Sequence, residues 1–254
     1  MKWMEGLLGG VEEVFLPTAC AGCRSALGGG SVSDGVCLEC RTRLRPPPHP
    51  RCTRCSFPLG TGRASDGGCG ECAPWPEALT GAVTAFGMEP PGDRLVHGLK
   101  YEGWWTLARF MARCLARASV PNGGVDVHGS EPVVVPVPTT SRRVRARGYN
   151  QARLLAEAYA ELRSLPLWTG LRRRGDANTQ VSLHPLERRA NVSGAFRVED
   201  GRAVAARNVL LIDDVLTTGA TAGAAAVALA EAGAGEVWLL AFGRALPRSR
   251  RRGE

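Results

Sequence analysis

Residues 209–221 read Val-Leu-Leu-Ile-Asp-Asp-Val-Leu-Thr-Thr-Gly-Ala-Thr: an apolar run, two adjacent carboxylates, then a turn of small and hydroxyl-bearing residues. Two neighbouring acids would repel a single anion, so the natural partners of Asp213 and Asp214 are the cis hydroxyls of a sugar or a hydrated Mg²⁺. The segment Thr217–Thr221 suits an anion instead. Gly219 lets the backbone approach an oxyanion with no Cβ in the way, while the Thr217, Thr218 and Thr221 hydroxyls add donors. A phosphorylated ribose satisfies both halves of the string at once. The competing reading is a buried strand with an acidic N-cap before a helix, which calls for neither two acids nor three threonines around a glycine.

That chemistry needs a scaffold, and the flanking residues indicate which one. Val209–Ile212 is β-branched and unalternating, the pattern of a strand buried on both faces of a parallel sheet. In such sheets ligands bind at the carboxyl ends of strands, where a following helix presents free N–H groups to an anion. The same logic predicts strands over Gly81–Phe86, Val133–Val137 and Glu236–Phe242. It predicts helical structure over Asp93–Leu99, Trp104–Ala118 and Gly148–Leu162, and a polar, arginine-rich loop from Arg172 to Arg189. Strands alternating with helices give an α/β class with a parallel sheet. Residues 78–254 are enough for one such domain, and residues 1–77 precede it as a separate module. Residues 1–16 carry Trp3, Leu7, Leu8, Val11 and Phe15 at the spacing of a short amphipathic helix. No stretch is long and apolar enough to cross a membrane.

The module is defined by cysteine. Eight of the nine cysteines fall in four Cys-x-x-Cys pairs, Cys20/Cys23, Cys37/Cys40, Cys52/Cys55 and Cys69/Cys72. Thirteen residues separate the first two pairs and thirteen the last two, as in a duplicated unit. Two such knuckles close a tetrahedral Cys₄ shell around Zn²⁺, leaving no open position for catalysis, so two structural zinc ions are expected. Iron is the nearest alternative metal for four thiolates. Sequential pairing of the knuckles fits the repeat best, and an interleaved cross-brace remains compatible with the spacing. Disulfides would need an oxidising compartment, whereas the N-terminal apolar stretch is interrupted by Glu12 and Glu13 and does not read as a secretory signal; a cytoplasmic location is expected. Cys114 stands apart as a small core residue. The four histidines have no ligand spacing relative to one another.

The formal net charge is +8. It is unevenly placed: nine arginines stand between Ser141 and Gly175 against Glu157 and Glu161 alone, and a tail carries Arg244, Arg248, Arg250, Arg251 and Arg252. Arginine clusters track phosphates, on a small ligand or on a nucleic-acid backbone. A solvated basic face is the equally simple alternative.

The 213–221 string resembles the phosphoribosyl pyrophosphate (PRPP) signature of type I phosphoribosyltransferases. Together with the Cys pairs, Leu99-Lys100, Val-Pro-Val-Pro at 135–138, Arg147-Gly148-Tyr149-Asn150-Gln151, Thr179-Gln180 and Arg188-Arg189-Ala190-Asn191-Val192, the chain resembles the ComF family nearly end to end. That family is a zinc-ribbon-bearing branch of the type I phosphoribosyltransferase fold, associated with competence and the uptake of single-stranded DNA. The resemblance implies that Asp213 and Asp214 hold ribose hydroxyls and that Thr217, Thr218, Gly219, Ala220 and Thr221 hold the 5′-phosphate. It implies that Pro138, Thr139 and Thr140 sit at the pyrophosphate, neutralised by Lys100 and Arg147, with Mg²⁺ bridging. The Arg172–Arg189 segment corresponds to the loop that closes over PRPP. Thr217 replaces the acid found in members acting on 6-oxopurines, which points away from that acceptor class. The implied partners are PRPP, an acceptor the residues do not identify, and single-stranded DNA or a competence helicase. The implied activity is phosphoribosyl transfer, with a non-catalytic PRPP-binding or DNA-binding adaptor as the alternative.

Overall fold

The computed structural model describes residues 19–27, 34–60, 68–118, 131–174 and 194–246. The N-terminal helix expected over 1–16, most of the Arg172–Arg189 loop, the motifs at 179–180 and 188–192, His128, His184 and the arginines from 248 onward lie outside the described residues.

Among the described residues there are six α-helices and six strands. The helices are α1 (Leu38–Arg43), α2 (Gly92–Tyr101), α3 (Leu107–Arg117), α4 (Ser141–Arg147), α5 (Gln151–Arg163) and α6 (Ala220–Glu231). The strands are β1 (Gly81–Gly87), β2 (Val133–Pro136), β3 (Leu171–Arg173), β4 (Phe196–Val198), β5 (Val209–Leu216) and β6 (Val237–Arg244). β1, β6, β5 and β2 lie side by side in that order as an all-parallel sheet, while β3 and β4 pair antiparallel in a separate two-stranded sheet. β5 is an inner strand, which is why Val209–Ile212 carry apolar side chains on both faces.

Strand pleating divides these residues between two cores. Val83, Val134, Leu210, Ile212, Leu240 and Phe242 face α2, α3 and α5, packing on Leu95, Leu99, Met111 and Leu155. Val133, Val135, Val209, Leu211, Leu239 and Ala241 face α6, whose Ala222, Ala225, Ala226 and Leu229 allow a close approach. The cysteine module contributes to both. Cys20, Ala21, Val36, Cys40 and Leu44 belong to the first core; Cys52, Cys55, Phe57, Cys72 and Trp75 belong to the second. The module also occupies the free edge of β1, where unpaired backbone groups would otherwise invite another strand. The Ala82 amide donates to Arg54 O at 2.7 Å, the Gly87 amide donates to Arg45 O at 2.9 Å, and Ser56 Oγ donates to Ala82 O at 3.0 Å.

Three local elements differ from expectation. Helix α4 occupies residues for which the sequence pattern predicts no element, because its arginine-rich sequence has no apolar period; Thr140 caps its start by accepting from the Arg143 amide at 3.3 Å, and Gly148 ends it at φ 84°. The helix expected from Gly148 therefore begins only at Gln151, with the Asn150 side chain accepting from the Ala152 amide at 3.1 Å. Arg172 and Arg173 lie in strand β3, where a loop is predicted. No helix is long and apolar enough to cross a membrane among the described residues.

Candidate ligand cleft and metal centres

Because β2 and β5 are parallel neighbours, with Pro136 opposite Ile212, the segments leaving their carboxyl ends are brought together. Between them lies a cleft of about 240 Å³ lined by Pro138 and Thr139 from the β2 side and by Asp213, Asp214, Thr217 and Thr221 from the β5 side. Lys100 and Tyr101 enter from the end of α2, Arg143 and Arg147 from α4, and Gln151 from α5. Of the residues singled out in the sequence, Asp213, Asp214, Lys100, Arg147, Pro138, Thr139, Thr217 and Thr221 line this one cavity. Thr218, Gly219 and Ala220 form the turn between the two lining threonines, and Thr140 serves as the α4 cap.

The acids are not equivalent. Asp214 is 3% exposed, and Lys100 Nζ lies 2.6 Å from its Oδ2. Among the described residues no donor is aligned on that oxygen as a hydrogen bond, so the pair is held by charge and Oδ2 retains capacity for a hydroxyl or a cation. Asp213 Oδ1 accepts from the Asp214 amide at 2.8 Å. Burial, reinforced by the Asp214 carboxylate, pushes Asp213 well above the usual carboxylate range; the Asp214 amide and Lys100 act the other way. Across the cleft the Thr139 Oγ1 hydroxyl is buried without a hydrogen-bond partner among the described residues. A buried, unpartnered hydroxyl and a carboxylate short of donors are the deficits that a hydroxyl-bearing, phosphorylated ligand with its counter-cation would fill. Arg147 is fixed by donating to Gln151 Oε1 at 3.0 Å and by stacking 4.7 Å over the Tyr101 ring, itself 63% exposed at the cleft.

The turn is shaped from below by residues that motif reading passed over. Gly219 sits at φ 83°, in the region that favours glycine, and a Cβ there would overlap the Trp75 indole. Trp75 donates from Nε1 to Thr218 O at 2.8 Å. Arg244, expected in a basic tail, is instead the last residue of β6 and only 1% exposed. Its Nη1 donates to Leu216 O at 3.2 Å and also to Thr217 O, and its guanidinium lies 5.1 Å from the Phe57 ring. Burial lowers its pKa, while Cys55, Glu71, Cys69 and Cys72 hold it up. Neither residue carries a periodic or motif signal; Trp75 is distinguished only by following Cys72 closely.

The eight paired cysteines form two clusters, Cys20/Cys23/Cys37/Cys40 and Cys52/Cys55/Cys69/Cys72, in each of which the sulfur atoms lie within 4.8 Å of one another. The knuckles are thus paired sequentially rather than interleaved. Sulfur separations of 3.7 Å (Cys23–Cys37), 3.8 Å (Cys52–Cys72) and 3.6 Å (Cys55–Cys69) match the roughly 3.8 Å edge of a tetrahedron with Zn–S bonds near 2.3 Å. Backbone amides support the sulfurs: Cys37 N donates to Cys20 Sγ at 3.3 Å and Cys69 N to Cys72 Sγ at 3.2 Å. Burial pushes the Cys37, Cys40, Cys55 and Cys72 thiols up, while hydrogen bonding with Ser25 lowers Cys23 to about 6; a cation shared by the four sulfurs is what lets buried thiols of such a cluster ionise together. Both are Cys₄ zinc sites. Cys114 is half-buried on α3, and burial raises its thiol to about 11.

Two Cys₄ sites built into the edge of a parallel sheet, with an acid pair and a threonine-rich turn at the strand ends, define the class: a zinc-ribbon α/β protein with a ligand cleft at the carboxyl ends of its strands. A family model described as a double zinc ribbon domain matches residues 11–73. DNA utilization protein YhgH of Escherichia coli K12 is 31% identical over 172 residues, covering 66% of this chain and 72% of that protein. Competence protein F of Haemophilus influenzae is 29% identical over 157 residues, 61% of this chain and 69% of that one. The chain belongs to the ComF family of these competence and DNA-utilization proteins. Among solved structures, the glutamine PRPP amidotransferase of B. subtilis complexed with ADP and GMP aligns with a TM-score of 0.35 and 22% identity over 57% of this chain. The alignment spans 26% of that longer chain.

Proposed function

We propose that the cleft binds PRPP with Mg²⁺ and that the protein transfers the phosphoribosyl group to an acceptor. The observation that carries this reading is the meeting of the Asp213–Asp214 pair, the Thr217–Thr221 turn, Lys100, Arg147 and the unpartnered Thr139 hydroxyl in one cavity. The ribose 2′- and 3′-hydroxyls donate to the Asp213 and Asp214 carboxylates. The 5′-phosphate takes the amides and hydroxyls of 217–221 at the start of α6, aided by the helix dipole. The pyrophosphate takes the Pro138–Thr140 turn, with Thr139 Oγ1 as donor and Arg147 as counter-charge. Mg²⁺, held through Asp213 and Asp214, would spread the pyrophosphate charge and ease its departure. The acceptor's lone pair forms the new bond to the anomeric carbon as the C–O bond to pyrophosphate breaks, inverting that carbon; the pair of electrons leaves with pyrophosphate and the acceptor proton passes to solvent.

Titration calorimetry of Mg²⁺–PRPP into zinc-loaded protein tests the binding, beside the Asp213→Asn/Asp214→Asn variant. Saturable binding that the variant loses supports the reading; an inert, folded wild type overturns it. Pyrophosphate release in an acceptor screen then tests turnover.

A second reading has its own observation. A groove lined by Arg145, Arg172, Arg173 and Arg197 adjoins the cleft through Pro138, Thr139 and Arg173. Arg172 and Arg197 share the single carboxylate of Glu199, at 2.9 and 2.8 Å. Such a basic run favours a polyanion, so a PRPP-binding adaptor that engages single-stranded DNA, alone or with a competence helicase, is the alternative to an enzyme. Steep loss of oligonucleotide binding with salt, without pyrophosphate release under any acceptor, would select it.

A further inference from the structure

The two ribbons are near-repeats in spacing but touch different things. The first lies against α2 and α3: Arg24 pairs with Glu102 at 2.5 Å, Arg94 donates to Gly22 O at 3.0 Å, and Arg113 pairs with buried Asp34. The second reaches the turn after β5. Three consecutive carbonyls where β5 passes into that turn, those of Leu216, Thr217 and Thr218, are each engaged by a group that stands on this ribbon, Leu216 O being shared with the Ala245 amide at 3.0 Å. Arg244 takes Leu216 O and Thr217 O while resting on Phe57, two residues beyond Cys55. Trp75, three residues beyond Cys72, takes Thr218 O.

Trp75 is itself held by the metal knuckle. Arg54, between Cys52 and Cys55, donates to Cys72 O at 3.2 Å, Pro76 O at 3.3 Å and Leu79 O at 2.9 Å, and lies 5.8 Å from the Trp75 ring. Pro76 continues the contact, 2.9 Å from where a Cβ on Gly223 of α6 would stand. In a trans peptide the carbonyl of one residue and the N–H of the next point in opposite directions. Tying the carbonyls of 216, 217 and 218 down onto the ribbon therefore turns the N–H groups of Thr217, Thr218 and Gly219 away from it. That is the orientation an anion-binding turn requires.

We propose that the second ribbon is the device that aims the phosphate-binding amides, with Trp75 and Arg244 as positioning residues, so that anion affinity depends on the second zinc site through these two side chains and not on the first. The proposal rests on the PRPP reading for the identity of the anion, but the aiming of the amides stands apart from it.

The experiment uses full-length, zinc-loaded protein. Trp75→Phe keeps the ring and loses the N–H; Arg244→Met keeps the bulk and loses the donors; Arg113→Met, in contact with the first ribbon only, is the control. For each, zinc per chain is measured, the affinity for Mg²⁺–PRPP is determined by calorimetry, and the N–H orientations of 217–219 are followed by residual dipolar couplings. Two zinc ions per chain are expected throughout. Affinity should fall at least tenfold in Arg244→Met and severalfold in Trp75→Phe, with the couplings of 217–219 averaged toward zero, and should stay within twofold in Arg113→Met. Unchanged couplings in both zinc-loaded variants overturn the proposal, as does an equal loss in Arg113→Met. If the wild type binds no PRPP, the parent reading fails and the couplings alone decide the aiming.

Discussion

Substituting Gly219 by alanine isolates the contact between ribbon and turn in one methyl group. Two costs add. Residue 219 sits at φ 83°, where an L-residue with a Cβ loses about 1–2 kcal/mol relative to glycine. The new Cβ also overlaps the Trp75 indole, and forcing a methyl into a packed contact costs roughly 1–3 kcal/mol more. The sum, about 2–5 kcal/mol, should lower the melting temperature of a domain this size by roughly 4–20 °C. Urea unfolding of Gly219→Ala measures the total. Repeating it in a Trp75→Ala background separates the terms, because the steric cost vanishes with the indole while the dihedral cost of about 1–2 kcal/mol persists. A Gly219→Ala cost below about 0.5 kcal/mol, or one that is the same in both backgrounds, would refute the reasoning, since either outcome means the indole does not occupy that space.

Three further outcomes follow from the same geometry. Lys100→Met leaves Asp214 buried without its counter-charge; with Lys100 21% exposed, a loss of about 2–4 kcal/mol is expected, somewhat under that of a fully buried pair, and adding Asp214→Asn should recover most of it in chemical denaturation. Asp213→Asn should stabilise the unliganded protein at pH 8. An acid raised in the folded state holds its proton where the unfolded chain has lost it, so wild-type stability falls as pH rises from about 4 through the raised value, and the variant's advantage should vanish below about pH 4; equal denaturation midpoints at pH 8 would count against the buried acid pair. Chelation should unfold the sheet together with the ribbons in one transition, because Cys20 and Cys40 sit in one core of the sheet and Cys52, Cys55 and Cys72 in the other; a sheet that melts at its original temperature after losing zinc would show the module to be separable.

The chemistry-bearing residues were legible because each belongs to a local pattern: the Asp213–Thr221 string runs through one strand end and one helix start, and each Cys-x-x-Cys is a single turn. Lys100 and Arg147 came from resemblance, and their meeting with Asp214 and Gln151 depends on tertiary packing of α2, α4 and α5. What escaped were contacts fixed by distance in sequence. Trp75 and Thr218 are 143 residues apart, and the Arg244 that holds Thr217 counts, by composition, as one more charge of a basic tail. Helix α4 escaped for a different reason: it has no buried residue, so its caps at Thr140 and Gly148, not an apolar face, mark it.

The duplication in spacing and the lack of duplication in contacts share one cause. The sheet ends at β1, and a strand edge has two faces beside it. The chain leaving the first ribbon and entering the second passes along that edge, with the carbonyls of Arg45 and, in the first knuckle of the second ribbon, Arg54 pairing β1 amides, which sends the first ribbon to the face of α2 and α3 and the second to the face of α6. The first face carries Lys100 at the end of α2; the second carries the turn into α6. Two like modules, placed across one edge, therefore come to support the two opposite walls of a cleft that neither of them lines. A module appended for stability alone could sit on either face; occupying both leaves the first zinc site to hold the packing of α2 and α3 and the second to hold the carbonyls of Leu216, Thr217 and Thr218.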